Sequence, residues 1–307
     1  MASQDVPLSV VIPVFNSESS LRELISRVNA VLDHYNYSEL VCVDDGSSDN
    51  SWNILKEAHI GKPNRIKIVR LLRNYGQHNA LLCGFSVASG EILVTIDDDL
   101  QNPPEDIPRL LEKIEAGFDL VIGSYPRRDN KFTGRFVDWT IRRIFDLPFD
   151  FRLTSFRAVR KSVIQEVIKM ENAFPYVTAM LLTHCARFAN LEVRHDSRKY
   201  GTSNFSFLEG VRLTVNLLIT YSRFPIWLVG ILLMISVSLA AIIGLWVVTQ
   251  LYVFNMGVDG WASSLLIGTL MQTLTILIVA LSTLFLSRLY RRTSRITTGF
   301  GISERYD

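Results

Sequence analysis

The fold class is set by residues 8–43, LSVVIPVFNSESSLRELISRVNAVLDHYNYSELVCV. This stretch opens with a short β-rich run, Leu8–Phe15, and closes with a second one, Glu39–Val43. Between the two runs, apolar residues recur at helical spacing at Leu21, Leu24, Ile25, Val28, Val31 and Leu32. Because buried strands that alternate with helices are typical of parallel sheets, the pattern predicts a parallel α/β sheet with covered faces.

The same alternation continues along the chain, with further predicted strands at Ile66–Leu72, Ile92–Ile96 and Asp119–Gly123. Beyond Gly123 the sequence becomes irregular and basic, and helical spacing resumes near Val159. The Gly-x-Gly-x-x-Gly fingerprint of dinucleotide binders is missing after the first strand, which disfavours a dehydrogenase.

Acidic residues follow two of the predicted strands, where ligands of open α/β sheets gather. In an extended segment alternate side chains share a face, so Asp97 and Asp99 can point together while Asp98 points away. Two carboxylates at this spacing suit Mg²⁺ or Mn²⁺, whose remaining ligands are typically water and substrate phosphates. The plainer alternative for this acidic triplet is a solvated turn.

A second acidic cluster, Asp44–Asp49, follows the strand at Glu39–Val43. Asp44 and Asp45 are placed to accept hydrogen bonds from a base or a ribose at the sheet edge. Asp49 equally fits the N-cap of the next helix. A phosphohydrolase is disfavoured, because the acidic spacing here is not Asp-x-Asp-Gly-Thr.

The C-terminal third is apolar, in a chain of 307 residues that is 48% hydrophobic. No charged residue occurs from Phe224 to Val258 or from Gly260 to Ser287. A span needs about 20 apolar residues, so both windows predict transmembrane helices, and a pair of buried helices in a soluble core is the alternative. Basic residues flank the pair at Arg223 and from Arg288 onward, whereas the connecting loop has none, which predicts that the N-terminal domain is cytoplasmic.

Other features exclude several classes of protein. Met1–Pro7 lacks the pattern of a secretory signal, and Cys42, Cys83 and Cys185 have no metal-site spacing, so we expect reduced cytosolic thiols. A net charge of +2 is too small to indicate nucleic-acid binding. We therefore expect a multi-pass protein of the inner (plasma) membrane.

Six short motifs occur in an order that is specific in combination. They are VVIPVFN at 10–16, VDDGSSD at 43–49, RNYGQH at 73–78, DDDLQNPP at 97–104, TSFR at 154–157 and RKYGTSNF at 198–205. With these motifs the chain resembles the family 2 glycosyltransferases of the polyisoprenyl-phosphate type, a group that includes dolichol-phosphate mannose synthase and bacterial undecaprenyl-phosphate sugar transferases. The two-helix tail is similar to that of the bacterial members.

The resemblance implies a GT-A (Rossmann-like) fold, a nucleotide-sugar donor, a divalent metal, inversion at the anomeric carbon and a lipid-phosphate acceptor. It also implies roles for individual residues. The nucleotide-sugar would be bound by Pro13, Asp44, Asp45, Arg73, Gln77, Asp97, Asp98 and Gln101, the metal by Asp97 and Asp99, and the acceptor phosphate by Arg135, Arg157, Arg198 and Ser203. Arg suits phosphate because it can donate two parallel hydrogen bonds.

The chain departs from the family pattern at two places. Ser17 stands where relatives often have Glu, with Glu18 next to it. Relatives have an Asp before Phe-Arg that is a proposed catalytic base, and Asp150 matches it in one alignment. In a second alignment, which we prefer, Ser155 occupies that position. A phosphate monoester has its second pKa near about 6, so the acceptor is already ionised at pH 7 and needs little general base. Asp99 and, more weakly, Asp150 are the candidate catalytic residues.

Together these observations predict an inverting, metal-dependent transfer of one sugar, from a UDP-sugar, to undecaprenyl phosphate or a similar lipid. The rivals are a processive polysaccharide synthase, which usually has Gln-x-x-Arg-Trp and more spans, and a catalytically silent membrane scaffold. Predicted domains are a GT-A domain at 1–204, an amphipathic juxtamembrane helix at 205–224, and two transmembrane helices with a basic cytoplasmic tail at 225–307. A homo-oligomer and a lipid-sugar flippase are the expected protein partners.

Overall fold

The computed structural model describes residues 5–125, 132–148, 150–170, 175–196, 207–222, 224–253, 260–293 and 299–307. The chain divides into two compact units, one made of residues 1–214 and 295–307 and the other of residues 215–294.

The first unit is built on one eight-stranded sheet with helices between the strands. The strands are β1 (Leu8–Val14), β2 (Ser38–Asp44), β3 (Ile66–Leu71), β4 (Ile92–Thr95), β5 (Leu120–Ser124), β6 (Arg157–Arg160), β7 (Phe188–Glu192) and β8 (Ile302–Tyr306). The helices are α1 (Glu18–Leu32), α2 (Ser51–Gly61), α3 (Gln77–Val87), α4 (Ile107–Glu115), α5 (Phe132–Phe145), α6 (Lys161–Lys169) and α7 (Val177–His184).

The strand order is β7-β5-β6-β4-β1-β2-β3-β8. The pairs β4-β1, β1-β2 and β2-β3 are parallel, as the alternating pattern predicts. Two strands run the other way: β6 is antiparallel to β4 and β5, and β8 is antiparallel to β3. The sheet is therefore mixed, and the predicted parallel pairing holds for β1 to β4 and for the edge pair β5-β7.

The centre of the sheet is covered on both faces, which explains why its strands read as continuous apolar runs. Every residue of β1 is buried, and the apolar face of α1 packs on the sheet through Leu21, Leu24 and Val28. Burial of one such side chain stabilises a fold by about 1.5–3 kcal/mol relative to leaving it exposed.

Pro13 lies inside the central strand β1 and not at its end. The Val11 carbonyl accepts a hydrogen bond from the Ile96 N–H. Backbone groups alternate in direction along a strand, so those of Pro13, two residues on, also point toward β4. Pairing with β4 ends at Val11, so at Pro13 a missing N–H removes no bond of the ladder.

Two strands lie where the sequence predicts something else. Residues 157–160 form β6, although the pattern near Val159 suggests a helix, and α6 begins only at Lys161. Ile302–Tyr306, predicted to belong to a basic tail, forms the edge strand β8 of the sheet.

The second unit consists of the long helices α9 (Phe224–Tyr252) and α10 (Trp261–Thr293), preceded by part of α8 (Phe207–Tyr221). Within the described residues, one helix is long and apolar enough to cross a membrane, over Ile226–Gln250, and α10 contains a shorter apolar stretch, Ile267–Thr283. The hydroxyls of Ser236 and Thr273 are 3.4 Å apart and link α9 to α10.

Candidate active site

The two acidic clusters predicted from the sequence lie at one edge of the sheet. Since β4, β1 and β2 are adjacent and parallel, their carboxyl ends meet at this edge. The end of β1 continues into the turn Phe15–Ser17, which lies between Asp44 and Asp45 on one side and Asp97–Asp99 on the other.

Asp97 is held by hydrogen bonds to both of its carboxylate oxygens. The Gln77 side chain donates to Oδ1 at 2.6 Å, and the Ser155 hydroxyl donates to Oδ2. Burial raises the pKa of the Asp97 carboxyl to about 6, and the neighbouring Asp99 and Asp98 act in the same direction. The carboxylate is thus fixed in orientation and lies in an environment that a cation would stabilise.

Asp98 lies in the turn that follows β4, and its carboxylate contacts the end of β1. Its Oδ2 accepts hydrogen bonds from the Phe15 backbone N–H, at 3.0 Å, and from the Ser17 hydroxyl. The Asp98 carbonyl oxygen accepts a further bond from Ser20 at 2.6 Å. In the described structure, Asp98 therefore anchors the turn that follows β1.

Asp99 accepts a hydrogen bond from the backbone N–H of Gln101, 3.1 Å from Oδ1. Between these two residues Leu100 has a positive φ of 60°, a conformation that costs a non-glycine residue about 1–2 kcal/mol. The chain reverses there, and Gln101 then pairs with Asp196 through a 2.9 Å backbone bond.

A hard divalent cation fits the chemistry of this edge. Asp97 and Asp99 offer carboxylate oxygens only, and burial together with the neighbouring carboxylates Asp99 and Asp98 raises the pKa of Asp97. Among the described residues, no group of three or more His, Cys, Asp or Glu could hold a metal ion. A cation here would be held by one or two carboxylates, with phosphate and water as its other ligands.

Asp45 clamps a neighbouring loop. Its Oδ1 accepts the Tyr75 N–H at 2.7 Å, and its Oδ2 accepts the Gly76 N–H at 2.8 Å. The Asp45 N–H in turn donates to the Val14 carbonyl. Asp45 thereby connects the ends of β1 and β2 to the loop before α3, and burial raises the pKa of its carboxyl.

Asp44 is fully buried at the end of β2. Its Oδ1 accepts the Ser47 N–H at 3.2 Å, whereas its Oδ2 accepts no hydrogen bond from any described residue. The nearest cation is Arg70, whose Nε lies 3.2 Å from that oxygen, and burial raises the pKa of the Asp44 carboxyl. Asp44 is thus an enclosed carboxylate whose charge is offset by Arg70.

Gly46 allows the β2 end to approach the Arg73 backbone closely. It has a positive φ of 71°, and a Cβ at this position would lie 2.6 Å from the Arg73 carbonyl carbon. The Arg73 guanidinium lies 4.9 Å from the centre of the Tyr75 ring and is exposed at the same edge.

Ser155 and Asp150 differ in their relation to the acidic cluster. Ser155 contacts Asp97 directly, whereas Asp150 is an exposed turn residue for which no contact with Asp97 is found in the described structure. This placement agrees with the register that puts Ser155, not Asp150, in the position of the proposed base.

Arg157 is enclosed within the protein, with 2% of its surface exposed. Its Nη1 donates to the Thr178 hydroxyl at 2.9 Å, and its Nε lies 3.2 Å from both Thr95 Oγ1 and the Ser155 carbonyl. These contacts indicate that Arg157 stabilises the strand ends near Asp97. They do not support the direct contact with a lipid phosphate that we predict from the motif.

The other predicted acceptor-binding residues fall outside what can be described. Arg198 and Ser203 lie outside the described residues, and for Arg135 only the backbone of α5 is described. Their roles therefore stay predictions.

One residue of the edge is missing from the sequence-based set. Arg70 stands opposite Asp44 in the β2-β3 register and forms an ion pair with it. The charge pair could have been found by aligning the two predicted strands so that their acidic and basic residues face each other.

Comparisons with known proteins agree with this geometry. Residues 9–172 match the sequence profile of Glycosyl transferase family 2. The undecaprenyl-phosphate 4-deoxy-4-formamido-L-arabinose transferase of Shewanella sediminis is 33% identical over 82% of this chain and 78% of its own length. The protein of the same name from Proteus mirabilis is 35% identical over 73% of this chain and 70% of its own length.

Solved structures share the fold. Glucosyl-3-phosphoglycerate synthase from Mycobacterium tuberculosis, crystallised with Mn²⁺, uridine diphosphate and phosphoglyceric acid, is 21% identical with a TM-score of 0.51. That comparison covers 70% of this chain and 76% of the synthase. A second crystal structure of the synthase matches with a TM-score of 0.50 at 21% identity, over 70% of this chain and 78% of its own. The predicted GT-A-like fold is thereby confirmed.

Proposed function

The chain belongs to glycosyl transferase family 2 and is a glycosyltransferase, and we propose that it transfers one sugar from a nucleotide-sugar to a polyprenyl phosphate. The observation that carries this proposal is the meeting of two acidic clusters at one sheet edge, one beside the end of β2 and the other beside the end of β4. The acceptor class rests on the names of the relatives that match most of this chain.

The donor would bind across this edge with its nucleoside at β2 and its diphosphate at β4. Asp44, whose Oδ2 has no hydrogen-bond donor among the described residues, would accept a hydrogen bond from an N–H of a base or from a ribose hydroxyl. Asp45 would act by holding the loop of Arg73–Gly76, which forms a wall of the same edge. A UDP-sugar is the donor that we propose.

Asp97 and Asp99 would hold Mg²⁺ or Mn²⁺. When bound, such a cation offsets the negative charge that grows on the departing diphosphate. Gln77 and Ser155 fix the Asp97 carboxylate from both sides, so its orientation is set before any ligand arrives. Asp98 keeps the Phe15–Ser17 turn in place beside this site.

The acceptor phosphate would act as the nucleophile. It is largely dianionic at pH 7, because the second pKa of a phosphate monoester is about 6. The uncharged Ser155 beside Asp97 agrees with a reaction that does not depend on a carboxylate base at this position. Binding of two anionic reactants would then need cationic side chains and hydrogen-bond donors. Arg135, Arg198 and the hydroxyl of Ser203 remain the proposed set.

We propose that the helices α9 and α10 both cross the membrane. The strands β1 and β8 belong to one sheet, so the chain between them must begin and end on the same side of any membrane. The number of crossings is therefore even. Because α9 contains an apolar stretch of spanning length, α10, charge-free from Gly260 to Ser287, is the segment that can return.

The amphipathic helix α8 supports a membrane-surface position for the segment before α9. Val211, Val215 and Ile219 are exposed and are spaced by one helical turn, so they form an apolar stripe along α8. The proposed domains are thus 1–204 for catalysis, completed by β8, then 205–224 at the surface and 225–293 in the bilayer. The catalytic unit would face the cytoplasm at the inner membrane.

The product of this reaction would stay on the side where it forms. A phosphate-sugar head group crosses hydrocarbon very slowly unaided, so a lipid-sugar flippase is the partner that the chemistry requires. A homo-oligomer is also proposed, by similarity to the bacterial members of the family.

A transfer assay tests the reaction class. Radiolabelled sugar from a panel of UDP- and GDP-sugars is incubated with the full-length protein, polyprenyl phosphate and Mn²⁺ or Mg²⁺, and label is counted in the organic extract. We expect label from at least one donor, loss of it in Asp99→Asn, and full activity in Glu166→Gln, a control that removes an exposed carboxylate on α6. Folded wild-type protein that labels no lipid with any donor would contradict the proposal.

A further inference from the structure

The C-terminal strand β8 joins the sheet next to the proposed nucleoside site. It pairs with β3 at four positions, from Ile68 opposite Tyr306 to Leu71 opposite Ile302. Leu72 donates a further backbone bond to the Gly301 carbonyl at 2.8 Å. β3 therefore separates β8 from β2, the strand that ends in Asp44.

Arg70 on β3 connects β8 to Asp44. Each nitrogen of its guanidinium faces a different group: Nε lies 3.2 Å from Asp44 Oδ2, Nη2 donates to the Ser47 carbonyl at 3.2 Å, and Nη1 lies 3.8 Å from Glu304 Oε1. A planar fork with all three nitrogens engaged has one orientation. Of these three partners, Glu304 is the one that lies on β8.

The flat face of Arg70 is also fixed. Its Cζ lies 5.6 Å from the centre of the Trp52 ring, and Trp52 is buried with Tyr306 of β8 on it at 6.2 Å between ring centres. Tyr306 contacts His59 as well, 5.6 Å between ring centres. β8 thus holds Arg70 both through charge and through the aromatic side chains beneath it.

We propose that Arg70 is a positioning residue for the donor and that β8, through Glu304, sets the orientation in which Arg70 holds Asp44. This inference rests on the proposed function, because it assigns Asp44 to the nucleoside. The carboxylate of Asp44 is fully buried and accepts only one hydrogen bond from described residues, so its geometry depends on Arg70. The geometry of this edge of the sheet is thereby linked to β8.

The inference predicts a defined change in donor binding. Replacing Glu304 by Gln removes one charge from a half-exposed pair, which corresponds to a loss of about threefold in affinity, and Glu304→Lys, which repels Arg70, should lose about tenfold. Because Asp44 would grip the nucleoside equally in the ground and transition states, KM for the donor should rise while kcat stays unchanged.

Arg305→Gln is the matched control. It removes one charge from the same strand, but the Arg305 side chain points to Asp307 and not to Arg70. The affinity of the Arg305→Gln variant for the donor should equal that of the wild type. In an Arg70→Lys background, which lacks the fork, Glu304→Gln should have no further effect.

The experiment measures UDP and GDP binding to the full-length protein with Mn²⁺ by calorimetry, together with melting temperature. Weaker binding of Glu304→Gln and Glu304→Lys at an unchanged melting temperature, with Arg305→Gln like wild type, supports the inference. Wild-type affinity in both Glu304 variants, or an equal loss in Arg305→Gln, overturns it. Folded wild-type protein that binds neither nucleotide instead overturns the proposed function, since no donor would then be recognised at this edge.

Discussion

The hydroxyl of Ser155 donates a hydrogen bond to the Asp97 carboxylate, across the antiparallel strands β4 and β6. This contact connects two motifs that are 58 residues apart in sequence. It also explains why Asp97 does not depend on solvent for its orientation, since Gln77 holds its other oxygen.

Removal of this hydroxyl should weaken the metal site. Partners that orient metal ligands are typically worth about 10–100-fold in metal affinity. We expect Ser155→Ala to raise the Mn²⁺ concentration for half-maximal transfer about tenfold, whereas Ser155→Thr should stay near wild type. Ser86→Ala, which deletes a hydroxyl on α3 that bonds only to the Cys83 carbonyl in the described structure, is the control. An unchanged Mn²⁺ dependence in Ser155→Ala would show that the contact is incidental.

Asp150 should be dispensable for chemistry. It is exposed and no contact with Asp97 is found for it in the described residues, and the acceptor phosphate is already ionised at pH 7. We expect Asp150→Asn to retain a kcat within about threefold of wild type. Asp99→Asn, measured for comparison, should be inactive. Loss of turnover in Asp150→Asn, with donor binding and folding intact, would assign a base to this residue.

Gly46 should not tolerate a side chain. A methyl group there would meet the Arg73 backbone at 2.6 Å while the residue keeps a φ of +71°. Strain of this kind costs about 1–3 kcal/mol, and the backbone clash adds to it. We expect Gly46→Ala to lower the melting temperature by several degrees. Gly61→Ala, on α2 with nothing within 4 Å of the new Cβ, should be neutral or slightly stabilising.

The loop held by Asp45 should loosen when its carboxylate is removed. Asp45→Ala leaves the Tyr75 N–H without its acceptor and the Gly76 N–H with only the Asn74 side chain, at a cost of about 2 kcal/mol. The melting temperature without nucleotide should therefore fall by roughly 4–8 °C. Asp33→Ala, which removes an exposed carboxylate at the end of α1, serves as the comparison and should change it by much less. A fall of equal size in both variants would contradict a specific role for the clamp.

Glu39 should make stability depend on pH. Its carboxylate accepts hydrogen bonds from Ser9 and the Ser89 N–H and pairs with Lys67 at 2.9 Å. Burial opposes ionisation, but these partners prevail and the pKa lies below its ordinary value. A group with a lowered folded-state pKa stabilises the protein above its unfolded pKa, about 4.3, and that contribution disappears as the pH falls through the folded value.

The melting temperature of wild type should thus fall more steeply below about pH 5 than that of Glu39→Gln, which has no proton to bind. At pH 7 the wild type should be the more stable of the two. Parallel curves across this range would show that Glu39 is not a source of the pH dependence.

The centre of the fold could be predicted from sequence, whereas its edges could not. The strands β1 to β5 are apolar runs, and burial on both faces produces such runs whatever the details of packing. β6 is four residues with Arg at each end, and β8 reads Ile-Ser-Glu-Arg-Tyr, so neither has a strand pattern strong enough to recognise. Their pairing is decided by partners elsewhere in the chain, such as Trp52 and Arg70 for β8.

The site shows a similar division. The acidic cluster Asp97–Asp99 could be located at a sheet edge because it closely follows an apolar run, and the membership of family 2 predicted from the motifs is confirmed. The function of Arg157 as an interior support could not be read from its motif, because burial depends on Thr178 and Thr95 in other elements. Arg70 can be found only by aligning the two strands, because its place opposite Asp44 depends on the register of β2 and β3.

The order of synthesis gives β8 a consequence for biogenesis. A ribosome adds about 5–20 residues per second, so β3 is complete for on the order of ten seconds or more before β8 exists to pair with it. During that time both long helices must be made, and the edge of β3 is open to pairing with other nascent chains. A chain arrested within α10 would carry every acidic residue of the site and still expose this edge. Ribosome stalling or truncation there should therefore produce aggregates and not merely inactive enzyme.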